Sequence, residues 1–407
     1  MFYDALMQAT ALPEYKEHIG TCSECGNSPV NHFATYWEQT FAVWTAHGGS
    51  DSAMQRMMHK KGDALFDKIA PALFGFLVAL PVSRLSNDPS RARTYRSQVI
   101  WEEAKRRGIE MQQVVFFGFY TEIYRARIRG RWHYFQSLPV PEGLDRNKYR
   151  YIDDKFLFKQ LLTEEHIPAA RAVSVVSRKQ AIDALHECGG VVVVKPRSGS
   201  RGRHTSVNVR TEEEMVRAFD SARVLCKYVV VEEYFEGSVC RGTLIAGKLV
   251  GFLQADPPKV TGDGISSVRE LAEQANQEKP DRVQDIVLSE DHRAFLSRLG
   301  YTFDLVIPKG ERIALTYRTG RLFGGRTREY GTAIHPKLRD YLERTAALTG
   351  AVVVGFDLII KDPLADPDTQ KWGIIEGNSL PFIDLHYLPL EGTPTNVAAA
   401  IWDLWNI

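Results

Sequence analysis

From residue 153 onward, helical spacing and short apolar β runs follow one another in regular succession. Residues 153–166 carry apolar positions at helical intervals and stop at Pro168. A strand is expected at 170–176, a helix at 179–186 and a buried strand at 191–195, the last ending on Lys195. A Gly/Ser-rich turn leads to a strand at 204–210. Thr211-Glu-Glu-Glu214 is a capping box, in which the threonine oxygen takes an orphan helix N–H and Glu214 reaches back. Strands at 228–235 and 239–254 follow, the second turned at Ala246-Gly247-Lys248. Helices are expected at 267–277 and 289–299, with strands near 311–317 and 321–330. His335-Pro336 opens a helix, proline being suited to a first turn. Apolar strands at 351–360 and 372–377 precede a last helix at 395–405.

The character differs before residue 150. Residues 95–107 read as a helix and 111–136 as β-rich chain turned at Arg129-Gly130, ending in a proline-punctuated connector at 137–143. Residues 1–94 are rich in Trp, Tyr, His and Met, with helical spacing at 54–69 and no alternating strand pattern. Helices and strands mixed in this way predict an α+β protein clasping a ligand, not one doubly wound sheet.

Composition narrows the function classes. A chain of 407 residues is long for one core. Its 51 Lys and Arg nearly cancel its 50 Asp and Glu, so no global field points to nucleic acid or an anionic membrane. The longest apolar run, 71–81, is too short to span a bilayer and is bracketed by prolines. The start lacks the basic-then-apolar order of a signal peptide. Five cysteines, odd and sparse, argue against a disulfide framework. A cytoplasmic protein is expected, with no nucleic-acid or membrane partner and the option of a homo-oligomer.

Three segments carry candidate chemistry. In 191–203 a strand delivers Lys195 to its edge, and the turn through Gly199, Ser200 and Gly202 can fold backbone N–H groups around phosphate. In 228–237 an apolar strand ends in Glu232, Glu233 and the aromatic Phe235, suited to an adenine edge and face. Taken alone, the first segment reads more readily as a strand–turn–strand hairpin with surface arginines, and the second equally as a strand ending in a solvated charged turn. The third is more specific. Asp357 stands inside an otherwise apolar strand, and Glu376 and Asn378 end another on one face. Two carboxylates and an amide oxygen form the hard donor set that magnesium takes beside nucleotide phosphates.

In this order the segments resemble the ATP-grasp superfamily, above all the ATP-grasp portion of cyanophycin synthetases, with similarity to glutathione synthetases and D-alanine–D-alanine ligases. The resemblance runs from 153 to the C-terminus. It includes the opening helix DDKFLFKQLLTEEHIP, the glycine-bearing segment KVTGDGISSVRELAEQAN and the end EGNSLPFIDLHYLPLEGTPTNVAAAI. It implies ATP and Mg2+ as cofactors, with Lys155 and Lys195 on phosphates and the Gly199–Gly202 loop closing over them. Glu232 and the backbone near Phe235 would hold adenine, and Asp357, Glu376 and Asn378 magnesium. Arg318 would stabilise the acyl phosphate and the tetrahedral intermediate. The organisation implied is 1–94 of unknown role, 95–150 a small α/β domain and 151–407 the ATP-grasp domain. Within the last, 151–255 carries the nucleotide lobe and 256–407 the metal and substrate lobe.

The activity implied is an ADP-forming ligation of a small-molecule carboxylate to an amine, both amino-acid-like. A nucleotide-binding regulator without turnover and an enzyme with a non-amine acceptor are the alternatives. Departures bear on specificity. Val239 stands where the family has a ribose-binding acid, leaving Glu233, Glu236 or water for the ribose. Arg321 stands where asparagine is common. Asp384 replaces an arginine of the cyanophycin-type enzymes, so a substrate ammonium is expected there, the alternative being a cap on the local turn or a pair with a nearby arginine; Arg241 is a second expected substrate contact. A single condensation is expected rather than polymerisation, because no further ligase domain follows. Finally, Cys22 and Cys25 form a C-x-x-C pair with His18 and His32 nearby, a set able to bind zinc. The outer spacing fits no structural zinc site, and reduced bystander thiols without stoichiometric zinc are expected.

Overall fold

The computed structural model describes residues 22, 25, 30–47, 82–141, 143, 144, 152–199, 202–281 and 283–406. The helical spacing expected at 54–69, His18 and Ser200 lie outside them. Two four-stranded sheets, a five-stranded sheet and a two-stranded ribbon make up the β structure among these residues.

Helix α1 (His32–His47) comes first. Strand β1 (Ser83–Ser86), helix α2 (Tyr95–Arg106) and strands β2 (Glu110–Phe116), β3 (Phe119–Ile128) and β4 (Arg131–Gln136) form the next unit. β1 pairs antiparallel with β2, so this sheet draws a strand from before residue 95, where no strand pattern is legible. Four residues are too few to show alternation. The sheet shares its core with the C-terminal helix α9 (Val397–Asp403): Ile100, Trp101, Tyr124 and Phe135 meet Ile401 and Trp402.

Helix α3 (Lys155–Glu164) follows, N-capped by Asp154, whose carboxylate accepts from the N–H groups of Phe156 and Leu157. Next come β5 (Ala172–Val175), α4 (Arg178–Glu187), β6 (Val192–Pro196), β7 (Ser206–Val209), α5 (Glu212–Arg223) and β8 (Val229–Glu233). They form a sheet of order β5-β8-β6-β7 with both helices against one face. The capping box at Thr211 and Glu214 is formed.

Strands β9 (Ser238–Ile245) and β10 (Lys248–Ala255) form a hairpin. The ribbon pairs β11 (Lys259–Thr261) with β12 (Arg312–Ala314), and helices α6 (Val268–Glu278) and α7 (Glu290–Arg298) lie between them in sequence. β13 (Thr327–Glu329), α8 (Pro336–Thr349), β14 (Val353–Ile360) and β15 (Gly373–Asn378) complete a five-stranded sheet of order β13-β10-β9-β14-β15. This sheet takes strands from both sides of residue 255. The strand expected across 321–330 is interrupted: Arg321–Phe323 is a 3-10 turn and only Thr327–Glu329 pairs. Gly324 at φ +80° and Gly325, where a Cβ would stand 2.1 Å from the Asp256 carbonyl oxygen, force the break.

Alternation along the sheet decides where the polar residues go. Cys240, Leu244, Val354, Phe356 and Leu358 face α3 and α8 in one core. Arg241, Thr243 and Asp357, at the intervening positions, face the opposite side. Helix α8 rides directly on Gly242, where a Cβ would come within 2.9 Å of the Leu342 side chain.

Candidate functional site

Register brings three charged side chains into one row. Asp357 on β14 is the direct partner of Arg241 on β9 and of Glu376 on β15. Arg241 grips Asp357 with both arms, Nε to Oδ1 at 2.6 Å and Nη2 to Oδ2 at 2.5 Å. Asn378 Nδ2 reaches Asp357 Oδ2 at 3.4 Å. Burial raises the Asp357 carboxyl to about 6, with the Glu376 charge adding to it and Arg241 opposing. Glu376 goes the other way, to about 2: burial would raise it, but Lys155 and Lys195 lead a surrounding positive field. Two adjacent carboxylates, Asp357 buried and Glu376 partly open to solvent, suit a divalent cation. The Arg241 fork uses only part of the lone-pair capacity of Asp357, so its oxygens can also take a metal.

The lysines arrive from the other sheet and from α3. Lys155, the first residue of α3, lies 4.0 Å from Glu376 and donates to the Gly199 carbonyl. Its backbone is set by the Asp154 cap, and Asp154 also holds the buried Arg197 guanidinium, Nε to Oδ1 at 2.9 Å. Asp153, beside it, accepts from the Ser379 N–H at 2.9 Å and its hydroxyl at 2.6 Å, tying α3 to the end of β15. Lys195 on β6 and Glu232 on β8 point to the same face and meet at 2.6 Å.

Lys159 went unnoticed in the sequence. One turn after Lys155, it meets the other Glu232 oxygen at 2.6 Å and donates to the Ile375 carbonyl. Burial lowers its ammonium to about 8 against the pull of Glu232. Lys155, Lys159, Lys195 and Arg241 thus gather with Glu232, Asp357 and Glu376, and Asp153 adds a fourth carboxylate beside Lys155. Glu232 binds two ammonium groups here, which is a different contact from the adenine edge expected of it. An i, i+4 lysine pair was the only signal for Lys159, and it is common on solvated helices.

Around this centre, Gly199 takes φ +104° and Gly202 φ +63° in the loop after β6. Phe235 is buried against Gly373, with the Lys371 ammonium 5.4 Å from its ring centre. Glu233 pairs with Lys371 at 2.6 Å and Glu236 with Lys361 at 3.2 Å. Arg318 lies over the Tyr317 and Phe323 rings, at 5.9 and 5.5 Å. Asp384 sits on the 3-10 turn Ile383–Tyr387. Burial raises its carboxyl, opposed by the charges of Arg96, Arg321 and Arg241. Its Oδ1 is buried with no hydrogen-bond partner among the described residues.

Beneath Asp384, His386 is fully buried between Glu329 Oε2 and Thr243 Oγ1, each at 2.7 Å. Every ring nitrogen is thereby used, so the pair braces the turn. The cysteine pair is also re-partnered. The structure sets His204, not only His32, beside Cys22 and Cys25.

No family model matches the chain. It is 34% identical over 262 residues to a cyanophycin synthetase of Synechocystis sp., covering 62% of this chain and 30% of that one. It is 29% identical over 255 residues to the glutathione biosynthesis bifunctional protein GshAB of Mannheimia succiniciproducens, covering 59% and 33%. The chain thus spans about a third of the length of these curated relatives. A solved bifunctional glutathione synthetase from Pasteurella multocida superposes with a TM-score of 0.51 at 22% identity, covering 76% of this chain and 44% of that one. The α+β fold expected from the motifs is borne out. No described helix is long and apolar enough to cross a membrane.

Proposed function

We propose, for a chain that has the ATP-grasp fold, that it joins a small carboxylate to an amine at the expense of ATP, releasing ADP and phosphate. The observation that carries this reading is the row Arg241, Asp357 and Glu376 with Lys155 and Lys195 above it. The catalytic unit would be 151–407, with the sheet β1–β4 and α2 sharing a core with its last helix and α1 lying against Gly199 and Lys227. Cytoplasm is the compartment in keeping with ATP and five free cysteines.

In this reading Lys155 and Lys195 neutralise phosphate oxygens, and Glu232 holds Lys195 in place through a buried ion pair. The loop through Gly199, Ser200 and Gly202 offers backbone donors to the same phosphates. Glu233 and Phe235 flank the adenine and ribose side. Asp357, Glu376 and Asn378 would hold Mg2+, which when bound supplies positive charge between the phosphates. A substrate carboxylate oxygen attacks the γ-phosphorus and ADP leaves, giving an acyl phosphate. The amine then attacks the acyl carbon, phosphate leaves, and the nitrogen loses a proton. Positioning and charge neutralisation dominate such transfers. Arg318 serves the developing oxyanion. Arg241 and Asp384 would face the substrates, an aspartate at that position suiting an ammonium-bearing amine.

The test is ADP and phosphate release with pooled amino acids and amines, on wild type and on Asp357→Asn and Glu376→Gln. Amine-dependent turnover in wild type, reduced at least about a hundredfold in each variant, is expected. Nucleotide binding without turnover under any pool would favour the regulator instead. Asp384→Asn should raise the amine KM while leaving ATP affinity unchanged.

A further inference from the structure

The N-terminal cysteine pair has found partners that the sequence order hides. Cys22, Cys25, His32 and His204 each present one ligand atom, and all four atoms lie within 4.8 Å of one another. Cys25 Sγ stands 3.3 Å from His32 Nε2 and 3.5 Å from His204 Nε2, and Cys22 Sγ 3.5 Å from His204 Nε2. On a tetrahedron with zinc–sulfur bonds of about 2.3 Å and zinc–nitrogen bonds of about 2.05 Å, sulfur and nitrogen stand about 3.5 Å apart. The three sulfur–nitrogen separations match that spacing, and the remaining pairs lie within 4.8 Å.

The surroundings fit the same reading. His204 Nδ1 lies 2.9 Å from the Ser221 carbonyl oxygen, which fixes the tautomer with Nε2 free to ligate. The Val30 backbone N–H lies within hydrogen-bonding reach of Cys25 Sγ. A turn closes the pair, the Cys25 N–H donating to the Cys22 carbonyl at 3.1 Å. His204 holds φ +49°, a left-handed backbone that few non-glycine residues adopt. Two thiolates balance the charge of one zinc ion, so the assembled centre is neutral and suits the burial of Cys25 and His204.

We propose that Cys22, Cys25, His32 and His204 bind one structural zinc ion that staples the N-terminal segment onto the Gly199–Gly202 loop. His204 follows that loop directly, and His32 is the first residue of α1. Helix α1 in turn lies against the loop: the Gln39 amide covers Gly199 so closely that a Cβ there would stand 2.6 Å from Nε2. Thr40 Oγ1 accepts from the Lys227 N–H at 3.0 Å. The zinc fixes both ends of this contact, so helix α1 becomes part of the support of Gly199 and Lys227. All four positions being filled by protein, the site is structural and leaves no open position for water or substrate.

Elemental analysis of the purified full-length chain is the first measurement, with about one zinc per chain expected. Cys25→Ser and His204→Asn should each fall below about 0.2 per chain, while Cys188→Ser, which removes a buried thiol elsewhere, keeps the full content. Co(II) added to reduced, metal-free wild type should give the visible bands of a tetrahedral site with thiolate charge transfer, and zinc should abolish them. This readout needs no variant to fold. Wild type without stoichiometric zinc and without those cobalt bands overturns the proposal. So does zinc retained in both ligand variants, or a Cys22–Cys25 disulfide in the freshly purified protein.

Discussion

Glu232→Gln separates a structural charge clamp from a simple contribution to the field of the cleft. The Glu232 carboxylate is fully buried and shared by Lys159 and Lys195, each at 2.6 Å. Removing one partner of a buried ion pair costs about 3–5 kcal/mol, because the remaining charge stays desolvated. Glutamine keeps the shape and one acceptor, and Lys159 retains the Ile375 carbonyl, so the low end, about 3 kcal/mol, is expected. That corresponds to a thermal midpoint lower by about 5–10 °C. Lys159, already lowered to about 8 by burial against the attraction of Glu232, should give up its proton near neutrality in the variant. The nucleotide test gives the sharper contrast. If the cleft were only a field, deleting a negative charge would tighten ATP binding. If Glu232 holds Lys195 at its station, ATP should bind about tenfold more weakly despite the deleted charge. Calorimetric titration beside a melting curve reads both. An unchanged midpoint with tighter ATP binding would refute the reasoning.

Lys195→Ala should weaken ATP binding and turnover together, whereas Arg318→Ala should reduce turnover by more than tenfold with ATP affinity nearly intact; equal losses would remove Arg318 from the chemistry. Glu103, whose burial would raise it, is instead held at about 2 by hydrogen bonds from Arg106, Arg107 and Asn396. With a folded value below the unfolded one, its stabilisation is present above about pH 4.3 and lost as pH falls toward 2. Discounted for the exposure of Arg106, it amounts to about 1–2 kcal/mol. Glu103→Gln should therefore lower the midpoint at pH 7 and flatten its decline in acid, and a parallel decline in both proteins would show that Glu103 does not anchor α2 to α9.

The residues that make up the candidate site were partly legible because some of their signals are local. An aspartate inside the apolar run 353–360, a lysine at the end of a buried strand and a capping box at 211–214 each follow from side-chain periodicity or from orphan helix N–H groups within a few residues. The order of those signals suggested the fold. Contacts between distant segments were not legible, because they depend on register and packing across the whole chain. Arg241 faces Asp357 only because β9 and β14 pair residue for residue. Lys159 is an ordinary helix lysine until β8 brings Glu232 beneath it. The expected strand at 321–330 failed where glycine packing against Asp256 outweighed local apolar pattern. Cys22 and Cys25 looked like bystanders because their fourth neighbour, His204, is delivered by the loop after β6 and not by the cysteines' own segment. Sequence fixes which residues can carry charge, cap a helix or fill a core; only the tertiary structure decides which of them share one buried space, since loop closure over a hundred or more residues leaves no local mark.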